Sequence, residues 1–292
     1  MSFIMAIPFP KVGIVVLNFN GRDCLFSCLT SLRELQYSNF FVVVVDNASE
    51  DSSFLDAMAH FPDFYFVRSA ENKGFSGGMN IGIREALTRG AHWVWLFNND
   101  AHADKKALSW LVESALKNET AGLLSPCIYS EKTGNLWFGG GVIDSFRMRV
   151  KHISPRASDL AKPWYESEFL TGCALFISKE TIDRVGFLDE RFFLYYEDAD
   201  YSVRVRKLGI ATLVVPQARV FHEERSQKNS EKLYYLVFSG LLFFRKHASG
   251  WQKPYYFVYA TMRRIKNVLD LMLGRGYASA VYRAYHDFYH GH

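Results

Sequence analysis

The chain has 292 residues, of which 49% are apolar and 22% charged, and a formal net charge of +4. That composition describes a globular protein able to bury one substantial core, with or without an appendage, and it is too weakly basic to argue for a nucleic-acid partner. The longest apolar candidate, Leu236–Phe244, falls far short of the roughly 18 residues needed to span a bilayer, and Met1–Pro10 lacks the basic start and apolar stretch of a secretion signal, so the reducing cytoplasm is the expected compartment.

The first hundred residues alternate in period. Val12–Leu17 is a short apolar, β-branched run that reads as a buried strand. Arg22–Leu35 follows with Leu25, Cys28, Leu29 and Leu32 at helical spacing, where Cys24 and Cys28 read as small core residues because no zinc spacing is present. Phe40–Val45 is a second strand ending at Asp46, and Ser49 is placed to cap a helix beginning near Asp51. Phe64–Val67 reads as a third strand, Ser76–Arg89 as a helix and Trp93–Phe97 as a fourth strand. Such alternation predicts right-handed βαβ units, hence a mostly parallel central sheet flanked by helices, with ligands at the carboxyl ends of the strands.

After Lys117 the pattern loosens. A short strand is expected near Ala121–Leu124, hairpins around Gly139–Gly141, another strand over Glu168–Ile177, a helix over Asp198–Leu208 and a late strand at Ala211–Val215. The natural division is residues 1–232 as one domain and 233–292 as a helical extension rich in aromatic and basic residues. From Arg245 onward eight Lys or Arg face only Asp270 and Asp287, so the positive charge is concentrated there. In this tail Val258, Met262, Ile265, Leu269 and Met272 fall at helical a/d spacing. The stripe reads first as a face packed on the rest of the chain, and second as an amphipathic surface resting on an anionic membrane.

Polar residues follow the apolar runs in order: Asn18-Phe19-Asn20, Asp46-Asn47-Ala48-Ser49, Asn72-Lys73-Gly74-Phe75 and Asn98-Asn99-Asp100. Asp and Asn favour turns in any case, so each alone is weak. Together they make a rim suited to a nucleotide. Asp46 can accept from a base N–H or a ribose hydroxyl. Asp100 can hold a hard divalent cation that shares coordination with phosphates, and His222 is a candidate second ligand whose nitrogen would tilt the choice towards manganese over magnesium. Glu197, Asp198 and Asp200 crowd a predicted helix start, which the helix dipole favours anyway. A carboxylate in so acidic a site can also serve as a general base, and Arg204 lies downstream to pair with one of the three.

These pieces resemble the family-2 glycosyltransferases of GT-A fold, in particular the rhamnosyltransferase-like branch that builds bacterial surface polysaccharides. The match runs through Val15–Gly21, Val44–Ser53, Glu71–Ile83, Leu96–Asp100, Phe169–Gly209 and Val220–Glu223, in the family's order, and covers roughly residues 12–223. The resemblance implies an inverting, metal-dependent transfer of a sugar, rhamnose first, from a nucleotide diphosphate to a hydroxyl of a glycan or lipid-linked oligosaccharide. It implies that Asp46 contacts the donor base with help near Asn18. Asn72, Gly74, Asn80 and Asn99 would line the donor site, with Ser76-Gly77-Gly78 permitting close approach. Asp100 and His222 would be the metal side, with Mn2+ or Mg2+ as cofactor. Asp198 would be the base that deprotonates the acceptor, with Thr171, Gly172 and Glu197 on the acceptor side. The family's first acidic metal-motif position is Asn98 here, which implies weak metal affinity without donor. Beyond about Arg225 the resemblance says little, and peripheral contact of the tail with the inner membrane surface stays an option.

Other classes fit less well. A glycoside hydrolase would use paired carboxylates but needs no nucleotide rim. A nucleotidyltransferase would want a glycine- and lysine-rich phosphate loop near the N-terminus. Gly74-Phe75-Ser76-Gly77-Gly78 lacks the spacing of a dinucleotide fingerprint. A non-catalytic carbohydrate-binding or assembly scaffold on the same fold remains as the alternative outside enzymes, opposed by the intact Asp46, Asp100, Asp198 and His222.

Overall fold

A computed structural model describes residues 9–223 and 229–291. Residues 1–8, on which the expectation about a secretion signal rests, lie outside these, as does Arg225.

The first half follows the expected alternation: β1 (Val12–Asn18), α1 (Leu25–Arg33), β2 (Phe40–Asp46), α2 (Ser53–His60), β3 (Tyr65–Arg68), α3 (Gly74–Thr88) and β4 (Trp93–Asn98). β1 pairs in parallel with β2 and β4, and β2 with β3. β1, β2 and β4 are buried on both faces, which is why they read as unbroken apolar runs, while β3 at the sheet edge is partly exposed. One expected cap is absent: α2 starts at Ser53 behind Ser52, and Ser49 turns instead towards the rim. Helix α3 lies unusually close to the sheet. A Cβ at Gly82 would meet Val15 at 2.1 Å and one at Gly78 would meet Leu17 at 2.4 Å. Of Ser76-Gly77-Gly78, expected to let a ligand approach, Gly78 lets the helix approach the sheet.

The second half adds β5 (Ala101–Ala103), α4 (Ala107–Lys117), β6 (Ala121–Ser130), β7 (Leu136–Phe138), β8 (Gly141–Asp144), β9 (Arg149–His152), α5 (Ala157–Leu160), β10 (Tyr165–Glu166), β11 (Ala174–Ser178), α6 (Lys179–Val185), α7 (Glu197–Lys207) and β12 (Ala211–His222). The main sheet runs β10-β12-β6-β11-β4-β1-β2-β3. β11 enters antiparallel between β4 and β6, while β6 and β12 are parallel partners. Three expected extents change. β6 has 10 residues and β12 has 12, because each pairs along the other's length. The strand expected over Glu168–Ile177 begins only at Ala174, since the preceding residues turn to meet α7 and the β8–β9 hairpin.

The tail forms α8 (Ser230–His247), α9 (Gln252–Met272) and α10 (Ala278–His290). The boundary expected at 232/233 falls inside α8. Leu241, Leu242, Phe243 and Phe244 of that helix belong to the same buried cluster as the central strands. The a/d stripe of α9 does not pack on the protein. Val258, Met262, Ile265, Leu269 and Met272 are 54–80% exposed, and the buried side of the helix carries Tyr256, Ala260, Asn267 and Asp270. Polar contacts set that rotation: Asn267 Nδ2 donates to the Ala278 carbonyl, and Asp270 takes Lys266, Arg275 and the Tyr277 hydroxyl. No described helix is long and apolar enough to cross a membrane.

Candidate active site

In-register pairing aligns the carboxyl ends of β1, β2 and β4, with Asn18 opposite Asp46 and Leu17 opposite Asn98. Asn18 is fully buried and braces the rim. Its Nδ2 lies 2.9 Å from Ser53 Oγ and 3.2 Å from Asp46 Oδ1 and Ser49 Oγ, and its Oδ1 accepts from Asn99 Nδ2 at 3.2 Å. Asp46 is also fully buried, and its Oδ2 accepts from the Ser49 amide and pairs with Arg68 Nε, each at 3.2 Å. Arg68 is half-exposed and is the charged partner of this buried carboxylate.

Asn72 shapes the next loop from inside, its Oδ1 accepting from Asn47 Nδ2 at 2.8 Å and from the Gly74 amide at 2.9 Å. Gly74 has φ +68, and a Cβ there would meet the Phe193 carbonyl at 2.3 Å, so only glycine fits this turn. Asn80 is placed elsewhere. Its amide donates to the Leu188 carbonyl and to Glu190, and its carbonyl accepts from the Leu188 amide, so it latches α3 to the segment before α7 with no polar atom left for a nucleotide.

At the metal side the antiparallel β12–β5 pairing sets His222 opposite Ala101 and so beside Asp100. His222 Nε2 is 3.1 Å from Asp100 Oδ1. His222 Nδ1 is buried with no hydrogen-bond partner among the described residues, and the Trp137 ring lies 4.7 Å from the imidazole. One carboxylate and one imidazole in contact fit a manganese or magnesium ion whose remaining positions come from water and phosphate. Among the described residues no group of three or more metal-ligating side chains converges.

The acidic cluster sits on the same rim. Asn98 donates its amide proton to the Cys173 carbonyl at 2.9 Å, and the Gly172 amide donates to Asp198 Oδ2 at 3.0 Å. The Asp100 and Asp198 charges both push up the pKa of the buried Cys173 thiol, after burial itself, so both carboxylates act on one sulfur. Thr171 is buried and turned inward, its Oγ1 beside the Cys173 amide at 3.4 Å. Asp198 is raised above its ordinary pKa by burial, against the Gly172 and Ala199 amides and nearby His152. Glu197 is raised further, by burial and then by the Asp198 charge, and its Oε2 has no hydrogen-bond partner among the described residues. Buried Glu197 and half-buried Asp198 are neighbours that resist carrying two charges at once.

The backbone entering this cluster is strained, with φ +69 at Tyr195 and +66 at Tyr196, both left-handed and neither glycine. Helix α8 holds them: Ser239 Oγ donates to the Leu194 carbonyl at 2.8 Å, and the Tyr196 ring packs 5.3 Å from Phe243. Asp200 is no part of the open site. It is fully buried among Arg204 at 2.8 Å, Lys246 at 2.5 Å and His247 at 2.8 Å, and these partners lower its pKa against the burial that would raise it.

Sequence patterns missed Arg68, Trp137 and His152. Trp137 stands between the two halves of the site, 4.7 Å from the His222 ring and 4.8 Å from that of His152. Its one sequence signal was an aromatic residue beside a glycine cluster.

Residues 13–186, more than half of the chain, match the model of the family described as Glycosyl transferase family 2. The chain is 25% identical over 249 residues to the dTDP-rhamnosyl transferase RfbF of Shigella flexneri, covering 81% of each. It is 25% identical over 262 residues to the N-acetylglucosaminyl-diphospho-decaprenol L-rhamnosyltransferase of Mycobacterium tuberculosis, covering 82% of this chain and 85% of that one. Its fold is similar to that of the mannosyltransferase PcManGT from Pyrobaculum calidifontis, solved with GDP-Man and Mn2+, at TM-score 0.62, 15% identity and coverages of 96% and 87%. It is also similar to GalNAc-T7, solved with UDP, GalNAc and Mn2+, at TM-score 0.70 and 17% identity, over 86% of this chain but only 50% of that longer one. With a GT-A fold and a family match that extends past β11, this chain is a glycosyltransferase and belongs to glycosyl transferase family 2.

Proposed function

We propose that the protein transfers a sugar, rhamnose first among the candidates, from a nucleoside diphosphate to a hydroxyl of a glycan or lipid-linked oligosaccharide, with inversion at the anomeric carbon. The observation that carries this is the shared rim: the Asp100–His222 pair and Asp198 are joined through Cys173 and Gly172. The two bacterial rhamnosyltransferases named above support the donor and acceptor classes. Surface polysaccharide such as lipopolysaccharide is the corresponding product.

The donor lies over the ends of β1, β2 and β4, its base towards Asp46 and its phosphates towards Asp100. Asp100 and His222 would hold a divalent ion, manganese or magnesium, which when bound supplies positive charge opposite the departing diphosphate. Asp198 takes the proton of the acceptor hydroxyl, the new oxygen–carbon bond forms in line, and the bond to the diphosphate breaks. The Gly172 and Ala199 amides fix the orientation of that carboxylate. Orientation of donor and acceptor contributes about 7–11 kcal/mol to lowering the barrier.

The outward stripe of α9, flanked by Arg264 and Lys266, supports a peripheral seat on the cytoplasmic face of an anionic membrane.

A thermal-shift screen of nucleotide sugars with manganese tests the donor assignment. A dTDP-sugar that raises the melting temperature by several degrees, with transfer to a polyprenyl-linked sugar, is expected. Stabilisation by none of them, with no transfer, overturns it.

A further inference from the structure

A cavity of about 470 Å³ lies between the β8–β9 hairpin and helices α8, α9 and α10, away from the nucleotide rim. Three guanidinium groups line it: Arg147 and Arg149 from the hairpin and Arg263 from α9. Asp144 is the carboxylate paired with the first two, at 3.5 and 3.8 Å, and it also takes Lys151 at 3.3 Å. Arg263 lines the cavity together with Tyr285, and among the described residues it pairs with no acid. Cations therefore outnumber anions at this wall. The opposite wall is apolar, with Leu236, Leu241 and Phe244 of α8.

Tyr196 lines the same cavity. It stands two residues before Asp198, so the cavity wall and the base are separated by no more than about 7 Å of chain. Helix α9 bounds the cavity on one side and turns its exposed apolar stripe outward on the other. The Tyr255 and Tyr259 hydroxyls donate to the Phe146 and Arg147 carbonyls, which fixes the helix to the hairpin that carries two of the arginines.

A surplus of guanidinium groups recognises phosphate oxygens, which they can grip two at a time, and the leucine wall recognises hydrocarbon. We propose that this cavity holds the phosphate or diphosphate of a ligand carrying an apolar chain, the acceptor, and so delivers the acceptor's sugar to Asp198. The inference rests on the glycosyltransferase reading, but its binding step does not.

Titration calorimetry with farnesyl diphosphate in EDTA, which keeps a metal from the rim, tests it. Farnesyl diphosphate binds at least ten-fold tighter than farnesol or inorganic diphosphate. The R149Q/R263Q double variant, checked for an unchanged melting temperature, loses at least ten-fold in affinity, and the R149K/R263K variant recovers part of it. Displacement by phosphatidylglycerol micelles would keep the site and identify its ligand as a membrane lipid. Absence of farnesyl diphosphate binding, or equal affinity in wild type and the glutamine variant, overturns the proposal. Nucleotide-dependent stabilisation is measured on the same proteins: its failure with farnesyl diphosphate binding intact strikes the donor assignment alone.

Discussion

The Gly172 amide donates to Asp198 Oδ2 at 3.0 Å, and through this bond the segment leading into β11 fixes the carboxylate at the first turn of α7. The carboxylate we propose as the base is held by two backbone amides and so is oriented before substrate arrives. Asp198→Asn keeps the shape and removes the proton acceptor. Its kcat is expected to fall by a factor of roughly a hundred to ten thousand while donor affinity stays nearly intact. Turnover at the wild-type rate would take Asp198 out of the mechanism.

Activity should fall on the acid side earlier than for a solvated carboxylate. Burial raises Asp198, and the base works only when ionised, so the acidic limb of kcat/KM lies above the usual aspartate range. Nearby His152 lowers that pKa when charged, so His152→Gln shifts the limb to higher pH. A pH–rate profile of the two proteins decides this; an unmoved or downward-moving limb contradicts it.

Glu197 supplies a stability test with a definite sign. Its folded pKa is raised by burial and by Asp198, so its contribution is fully present below the ordinary glutamate pKa and is lost as pH rises through the folded value. Glu197→Gln cannot ionise and should be the more stable protein at pH 8, by on the order of 1–3 kcal/mol. Urea titrations at pH 5 and pH 8 measure the difference, which should shrink at the lower pH.

Chelation and ligand removal should act together at the other end of the rim. EDTA is expected to abolish transfer, and manganese or magnesium to restore it. His222→Gln raises the manganese concentration needed for half-activity, and Asp100→Ala loses restoration at any practical concentration. Full activity of wild type in chelator would remove the metal from the reaction.

Asn80 and Asp46 separate structural from donor-binding roles. Asn80→Ala breaks the latch to Leu188 and Glu190, so it should cost about 1–3 kcal/mol of stability with donor affinity unchanged. Arg68→Ala removes the charged partner of Asp46 and should change donor affinity instead. Isothermal titration with the nucleoside diphosphate reads both.

Local sequence carried the first half of the fold because β1 to β4 and their helices obey nearest-neighbour rules: buried parallel strands are apolar runs, and the rim residues follow each run directly. The residue pattern offered His222 as a candidate partner of Asp100 and the motif resemblance strengthened it, but 122 positions separate the two residues and only the pairing of β12 with β5 joins them. Trp137 and His152 were not legible, because irregular hairpins carry them to the site and no period marks such residues. The α9 stripe misled for a different reason. Helical spacing identifies an apolar face but not which way it turns, and here buried Asn267 and Asp270 decided the rotation.

The burial of Asp200 among Arg204, Lys246 and His247 bears on how such enzymes diversify. Lys246 also grips Asp189, so α7 and the loop before it are both anchored by the last turn of α8. A C-terminal region grafted without cations to match Lys246 and His247 would leave buried Asp200 with Arg204 as its remaining partner, two residues from Asp198, so an exchange of this region is expected to succeed best when the last turn of α8 is inherited unchanged.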